Sequence, residues 1–162
     1  MRLLGFIGSS GSGKTTLVEQ LLPLLKSHGL RVSAMKHAHH GFDLDRPGKD
    51  SFRYREAGAE EVMLVAGGRW ALLREEDATL PELVARMSPV DLVLVEGFKL
   101  AEIPKIEIFR PSLGKPPFYP NDPGIVAVAS DAPIDPQGRT LLPLNAPDKI
   151  ADFILSHIMA TP

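Results

Sequence analysis

Apolar residues fall in short runs that end in glycine and serine clusters, and one longer stretch follows helical spacing. Residues 3–8 form an apolar run that stops at a Gly/Ser cluster, as a buried parallel strand does. Leu17, Val18, Leu21, Leu22 and Leu25 then recur three and four apart, which predicts a helix over about residues 14–28 with one face turned inward. Pro23 sits inside it, removing a backbone donor and crowding the preceding turn, so a bend or an early end is expected. Gly29 stops the helix, and residues 30–36 read as a second strand. Strand, loop, helix and strand make a βαβ unit with parallel strands, a right-handed crossover and a ligand edge at the strands' carboxyl ends. Lys36 and His37 therefore fall near the first loop.

Residues 37–49 are polar and carry Gly41, Pro47 and Gly48, the composition of a loop. Asp50 suits the N-cap of a helix over residues 51–57 that Gly58 ends. Residues 62–66 and 70–74 are β-like and flank Gly67-Gly68, a two-residue hairpin signal. Thr79 caps a helix with Pro81 in its first turn, ending near Met87. Residues 90–95 are an unbroken apolar strand closed by Glu96-Gly97, and residues 103–109 make another. Pro111, Pro116, Pro117, Pro120 and Pro123 rule out regular structure between them and read as a rigid solvent loop, with a partner surface as the alternative. A last buried strand covers residues 125–129, and Ile150, Ile154 and Ile158 put a closing helix over residues 149–159. With no repeat or linker in sight, the order of elements predicts a single domain over residues 1–162. It would be a three-layer α/β/α fold with a mostly parallel sheet and an antiparallel edge hairpin.

Composition narrows the chemistry. Eighteen Lys and Arg against 20 Asp and Glu give a net charge of −2, which supplies no field for general nucleic-acid binding. The absence of cysteine removes disulfides, thiolate metal sites and cysteine nucleophiles, so any metal must take oxygen or imidazole ligands. No apolar run approaches the roughly 20 residues a spanning helix needs. The expectation is a cytoplasmic protein that engages neither membrane nor nucleic acid.

The strongest chemical signal is Gly8-Ser9-Ser10-Gly11-Ser12-Gly13-Lys14-Thr15, which satisfies G-x-x-x-x-G-K-[ST] between a predicted strand and a predicted helix. Glycines let backbone N–H groups curl around phosphates, the helix start adds partial positive charge, and Lys14 reaches the β- and γ-phosphates. Thr15 supplies a hydroxyl ligand for Mg²⁺. A bare turn that binds nothing is disfavoured because a lysine in the first helical turn opposes the helix dipole unless an anion sits there.

Other candidates lie at the predicted ligand edge. Glu96 ends an apolar strand where P-loop proteins hold Mg²⁺ or its water, whereas Asp91 begins that strand at the wrong end. Asp131 follows a buried strand; a carboxylate there can accept both Watson–Crick hydrogens of guanine, or can simply serve as an N-cap or turn residue before Ala132-Pro133. Lys36 can clamp a terminal phosphate, and Asp43, Asp45 or Asp50 can orient water, with helix capping as the rival role of Asp50. His37, His39 and His40 offer imidazoles to a transition metal, or contacts to phosphate or base.

Taken together, the stretches GFIGSSGSGKTTL, KHAHHGFDLDRPGKDSFRYREAGA, DLVLVEGFK, PKIEIFR and VASDAP resemble the molybdopterin-guanine dinucleotide biosynthesis adapter proteins, the MobB family. The resemblance runs from Leu4 to about Pro133 and implies a GTP-binding protein, at most a slow GTPase, that uses Mg²⁺. Such a protein assists attachment of GMP to molybdopterin, forms a homodimer, and contacts the molybdenum cofactor guanylyltransferase and the molybdenum-insertion enzyme. It carries phosphate binding over to Gly8, Gly11, Gly13, Lys14, Thr15 and Thr16, the second-motif acid to Glu96, and base reading to Asp131. Charge alone suggests Lys36, Arg53 and Arg110 for phosphate or an anionic pterin. Two rivals use the same loop: a small-molecule kinase, which needs an arginine lid that Arg53 and Arg55 would begin, and a GTPase metallochaperone built on the histidines.

Overall fold

The computed structural model describes residues 1–38 and 45–160. Its elements follow in the order β1 (Arg2–Ile7), α1 (Lys14–Ser27), β2 (Val32–Lys36), α2 (Asp50–Glu56), β3 (Glu61–Ala66) and β4 (Arg69–Arg74). Then come α3 (Leu80–Ala85), β5 (Leu92–Glu96), β6 (Lys105–Phe109), β7 (Ile125–Ser130), β8 (Thr140–Pro143) and α4 (Pro147–Phe153), which runs on as a π-helical turn over Ile154–Ile158. The chain divides into two compact units, Met1–His37 with Ser88–Pro162, and Ala38–Met87.

The first unit is built on six strands in the order β2-β5-β1-β6-β7-β8, every neighbouring pair parallel. From β1 the chain first fills one side of the sheet and later the other, so the carboxyl end of β1 is a switch point, where open parallel sheets bind ligands. Leu4, Phe6, Leu92, Leu94, Ile106, Ile108, Ala127 and Ala129 face α1 and α4 in one continuous core. Leu17, Val18, Leu21 and Leu25 are the buried stripe of α1, as their spacing requires, and full burial of each leucine contributes about 1.5–3 kcal/mol. Pro23 does not end the helix, which continues to Ser27. The proline lies on the exposed side, where water can satisfy the carbonyl its missing N–H leaves free.

The opposite face gathers Ile7, Ile125, Val128 and Tyr119, with Phe109 and Phe118 against them. Tyr119 and Phe118 come from the proline-rich segment, so the reading of that segment as a rigid solvent loop is corrected: it covers the sheet. It also holds two short 3₁₀ turns, Pro111–Leu113 and Tyr119–Asn121. Two charged residues of β6 hold it down. Buried Glu107 accepts the Phe118 N–H at 2.9 Å and the Tyr119 N–H at 2.7 Å. Lys105 donates to the carbonyls of Lys99 at 3.1 Å and Ala101 at 2.9 Å and pairs with Asp122 at 2.8 Å. Burial pushes the Glu107 carboxyl above its ordinary pKa, against the pull of the two N–H donors.

In the second unit β3 and β4 pair antiparallel around Gly67-Gly68, as the hairpin signal predicts, and they form a sheet of their own instead of an edge of the parallel one. The cap of α2 is corrected by one residue. Lys49, extended at φ −86° and ψ 152°, is the N-cap, and Asp50 is the first helical residue, where its charge still favours the helix dipole. In α3, the Glu82 carboxylate accepts the Thr79 N–H at 2.8 Å and the Thr79 hydroxyl at 2.7 Å.

Candidate nucleotide-binding site

The loop between β1 and α1 is shaped by what its glycines permit. A Cβ on Gly8, at φ +151°, would stand 2.4 Å from the Ile108 carbonyl oxygen, so only glycine lets the chain leave β1 beside β6. Gly13 is the N-cap of α1 in the left-handed region, at φ 99°, and offers no side chain to the first-turn amides; no acidic residue stands in that turn either. The N–H groups at the start of α1 therefore present uncapped partial positive charge.

Lys14 folds back over this loop, donating to the Gly8 carbonyl at 3.1 Å and the Ser9 carbonyl at 2.9 Å. Its pKa lies below the ordinary lysine value, chiefly through burial; Glu96 opposes that shift, and Lys99 and Lys36 add to it. Thr15 donates to both Glu96 carboxylate oxygens at 2.9 Å. Lys36 completes the group, with Nζ 3.1 Å from Thr15 Oγ1 and 3.3 Å from Glu96 Oε1. Strand register brings this about: Lys36 of β2 and Glu96 of β5 are paired residues at the strands' carboxyl ends. Asp91, at the other end of β5, is bound to Arg31.

Arg110 follows β6 and reaches the same loop, its Nε donating to the Ser12 carbonyl at 2.8 Å and its Nη1 meeting Asp131 Oδ2 at 2.5 Å. Asp131 is thus neither a helix cap nor a free carboxylate. Ser10, Gly11 and Thr16 are exposed, and the Ser12 side chain is buried behind the loop. Lys14, Thr15, Lys36 and Glu96 come together in the first unit. Asp50 belongs to the second unit, where its carboxylate pairs with Arg53 at 3.6 Å. Asp45, also in that unit, pairs with Arg55 at 3.3 Å and accepts the Ser51 hydroxyl at 2.8 Å. Asp43, His39 and His40 lie outside the described residues. His37 packs its ring 4.8 Å from that of Phe98, and among the described residues no cluster of three or more His, Asp or Glu is arranged to hold a metal. Sequence reasoning missed Lys99, three residues after Glu96, whose charge acts on Lys14; the lysine of DLVLVEGFK was the available signal.

A parallel sheet whose central strand runs through a glycine-rich loop into the first helix, with the neighbouring strand's terminal acid against that helix's first turn, defines an α/β protein of P-loop-like fold. The family model described as MobB, molybdopterin guanine dinucleotide synthesis protein B, matches residues 3–131. The molybdopterin-guanine dinucleotide biosynthesis adapter protein of Escherichia coli (strain K12) is 44% identical over 160 residues, covering 94% of this chain and 91% of that protein. The protein of the same description from Haemophilus influenzae is 46% identical over 157 residues, covering 94% and 86%. A crystal structure of molybdopterin-guanine biosynthesis protein B superposes with a TM-score of 0.76 at 30% identity, over 95% of this chain and 97% of that one. The chain belongs to the MobB family. Among the described residues no helix is long and apolar enough to cross a membrane.

Proposed function

We propose that this chain binds GTP with Mg²⁺ and acts as an adapter in molybdopterin guanine dinucleotide biosynthesis, assisting attachment of GMP to molybdopterin. The observation that carries the nucleotide reading is the meeting of Thr15, Lys36 and Glu96 at the strand ends, beside the loop that Lys14 folds over and in front of uncapped helix amides, with the charges of Lys36 and Lys99 both acting on Lys14. Repulsion among the lysines and the burial of Lys14 are both relieved by a polyanion. Thr15 and Glu96 are hard oxygen donors of the kind Mg²⁺ takes, and a cation, the Lys36 ammonium, already stands against both. When bound, the metal supplies charge neutralisation between phosphates. Lys14 and the α1 amides would hold and orient the phosphate chain, and Lys36 would clamp its end. Hydrolysis, where it occurs, is positioning and charge neutralisation without a covalent intermediate.

Base reading falls to Asp131. Each carboxylate oxygen accepts two hydrogen bonds, so Asp131 can keep Arg110 and still take both hydrogens of guanine. The adapter role follows the family, and with it come a homodimer, the guanylyltransferase and molybdenum-insertion enzyme as partners, and molybdopterin as the neighbouring substrate. The kinase alternative finds its two arginines already paired, Arg53 with Asp50 and Arg55 with Asp45.

Calorimetry with GTP and ATP in Mg²⁺ tests the first half. GTP is expected to bind at least about tenfold more tightly, and Asp131→Asn to erase that preference, the size of one or two hydrogen bonds. Equal affinities would remove guanine recognition and favour the kinase. Dinucleotide formation by the guanylyltransferase, run with and without this chain, tests the second half, and an unchanged rate would end the adapter reading.

A further inference from the structure

Lys36 stands against both oxygens that the proposed function reads as metal donors. Its ammonium stands 3.1 Å from Thr15 Oγ1 and 3.3 Å from Glu96 Oε1, the same two donors that would hold Mg²⁺. We propose that Lys36 is a resident cation for the Thr15–Glu96 pair, displaced when a divalent ion enters, so that metal entry hands its ammonium to the terminal phosphate. The inference rests on the reading of Thr15 and Glu96 as metal ligands.

Four observations carry it. The Glu96 side chain is only 13% exposed, and a carboxylate so far withdrawn from water requires a compensating charge. Lys14, the other nearby ammonium, is committed to the Gly8 and Ser9 carbonyls. The backbones of Lys36 and Glu96 are locked in register, so the two groups can part only by a swing of the side chain. Lys36 is free to make that swing, being 58% exposed on a flexible four-carbon stem. A divalent ion and an ammonium cannot share the same two oxygens, because their repulsion at contact distance is large at any interior dielectric. Among the described residues Glu96 is the one carboxylate that Lys36 pairs with, so in the protein without nucleotide the displaced ammonium turns to solvent. With a polyphosphate bound it has an anion, so metal and nucleotide each favour the other through this side chain.

Mn²⁺ binding followed by electron paramagnetic resonance, on the full chain with and without a non-hydrolysable GTP analogue, tests this. Lys36→Met removes the competing charge and is expected to tighten Mn²⁺ binding to the nucleotide-free protein about tenfold, while the strengthening that nucleotide confers on Mn²⁺ shrinks by a similar factor. Lys36→Arg keeps the charge and should keep the wild-type pattern; Lys36→Gln, a second neutral side chain, should repeat the Met result. Glu96→Gln should abolish Mn²⁺ binding to the nucleotide-free protein, where no phosphate is present to hold the ion. If Glu96→Gln abolishes binding but both neutral variants bind Mn²⁺ no better than wild type, the resident-cation proposal is overturned and the metal reading stands. Mn²⁺ binding untouched by Glu96→Gln overturns both.

Discussion

Two lysine–carboxylate groups sit on one sheet and behave as opposites. On β6, Lys105 has a side chain 4% exposed, and two carbonyls and the Asp122 carboxylate take its three N–H bonds. Its neighbour on the same face, Glu107, is filled by the amides of Phe118 and Tyr119. At the ends of β2 and β5, Lys36 and Glu96 lean on each other and on one threonine hydroxyl, with Lys36 largely in water. The first network is closed, since every donor has an acceptor and nothing can enter without breaking it. The second is open, and its members can exchange partners at small cost. Buried charge that is fully satisfied fixes a fold, whereas charge left half-satisfied at a strand end is available to a ligand.

The comparison is broken most forcefully from the closed side. Lys105→Met leaves Asp122 without its buried partner and should cost roughly 3 kcal/mol of stability in urea unfolding, with nucleotide affinity of the folded protein unchanged. A variant as stable as wild type would mean that the network is not what fastens the proline-rich segment. Next in size, Lys14→Ala should weaken GTP binding about 100-fold, the scale of charge-assisted hydrogen bonds, while moving the unfolding midpoint little. Undiminished affinity in calorimetry would remove the loop from the site.

The smallest effect is one of pH. The folded-state pKa of Glu107 is raised, mainly by burial, so the folded protein keeps this proton to higher pH than the unfolded chain does. Its contribution to stability is therefore full below the ordinary carboxylate value and declines as pH climbs through the raised one. Glu107→Gln cannot titrate, so the wild type should lose stability relative to the variant as pH rises above the ordinary carboxylate value. Parallel urea midpoints at every pH would assign the shift to another group.

What could be read from the sequence divides along the same line. Residues 92–95 are apolar at every position because both faces of β5 are covered, and a run of that kind needs no context to read. The loop at Gly8 to Thr15 carries its own context, strand before and helix after. The alternation Lys105-Ile106-Glu107-Ile108 reads as a strand with one wet face, yet both charged residues are buried. Their burial depends on a proline-rich segment some ten residues downstream, which no local pattern connects to β6. Strand β8 is a four-residue run with little periodicity; it is a strand because it docks beside β7. Likewise, the pairing of Asp131 with Arg110 joins residues 21 apart in sequence and is set by the adjacency of β6 and β7. Helix α1 shows the reverse, since its Pro23 allows an early end that packing of the buried face overrides.

One consequence follows from the loop carbonyls. Those of Gly8 and Ser9 are tied to Lys14, and that of Ser12 to Arg110. A trans peptide unit is planar, with its oxygen and its hydrogen on opposite sides. Fastening three oxygens therefore acts as a lever on the hydrogens of Ser9, Ser10 and Gly13, aiming each away from the cation that grips its plane. On the proposed nucleotide reading, the loop is wound in advance by the protein's own positive charges, and a phosphate arriving there would have little backbone left to rearrange.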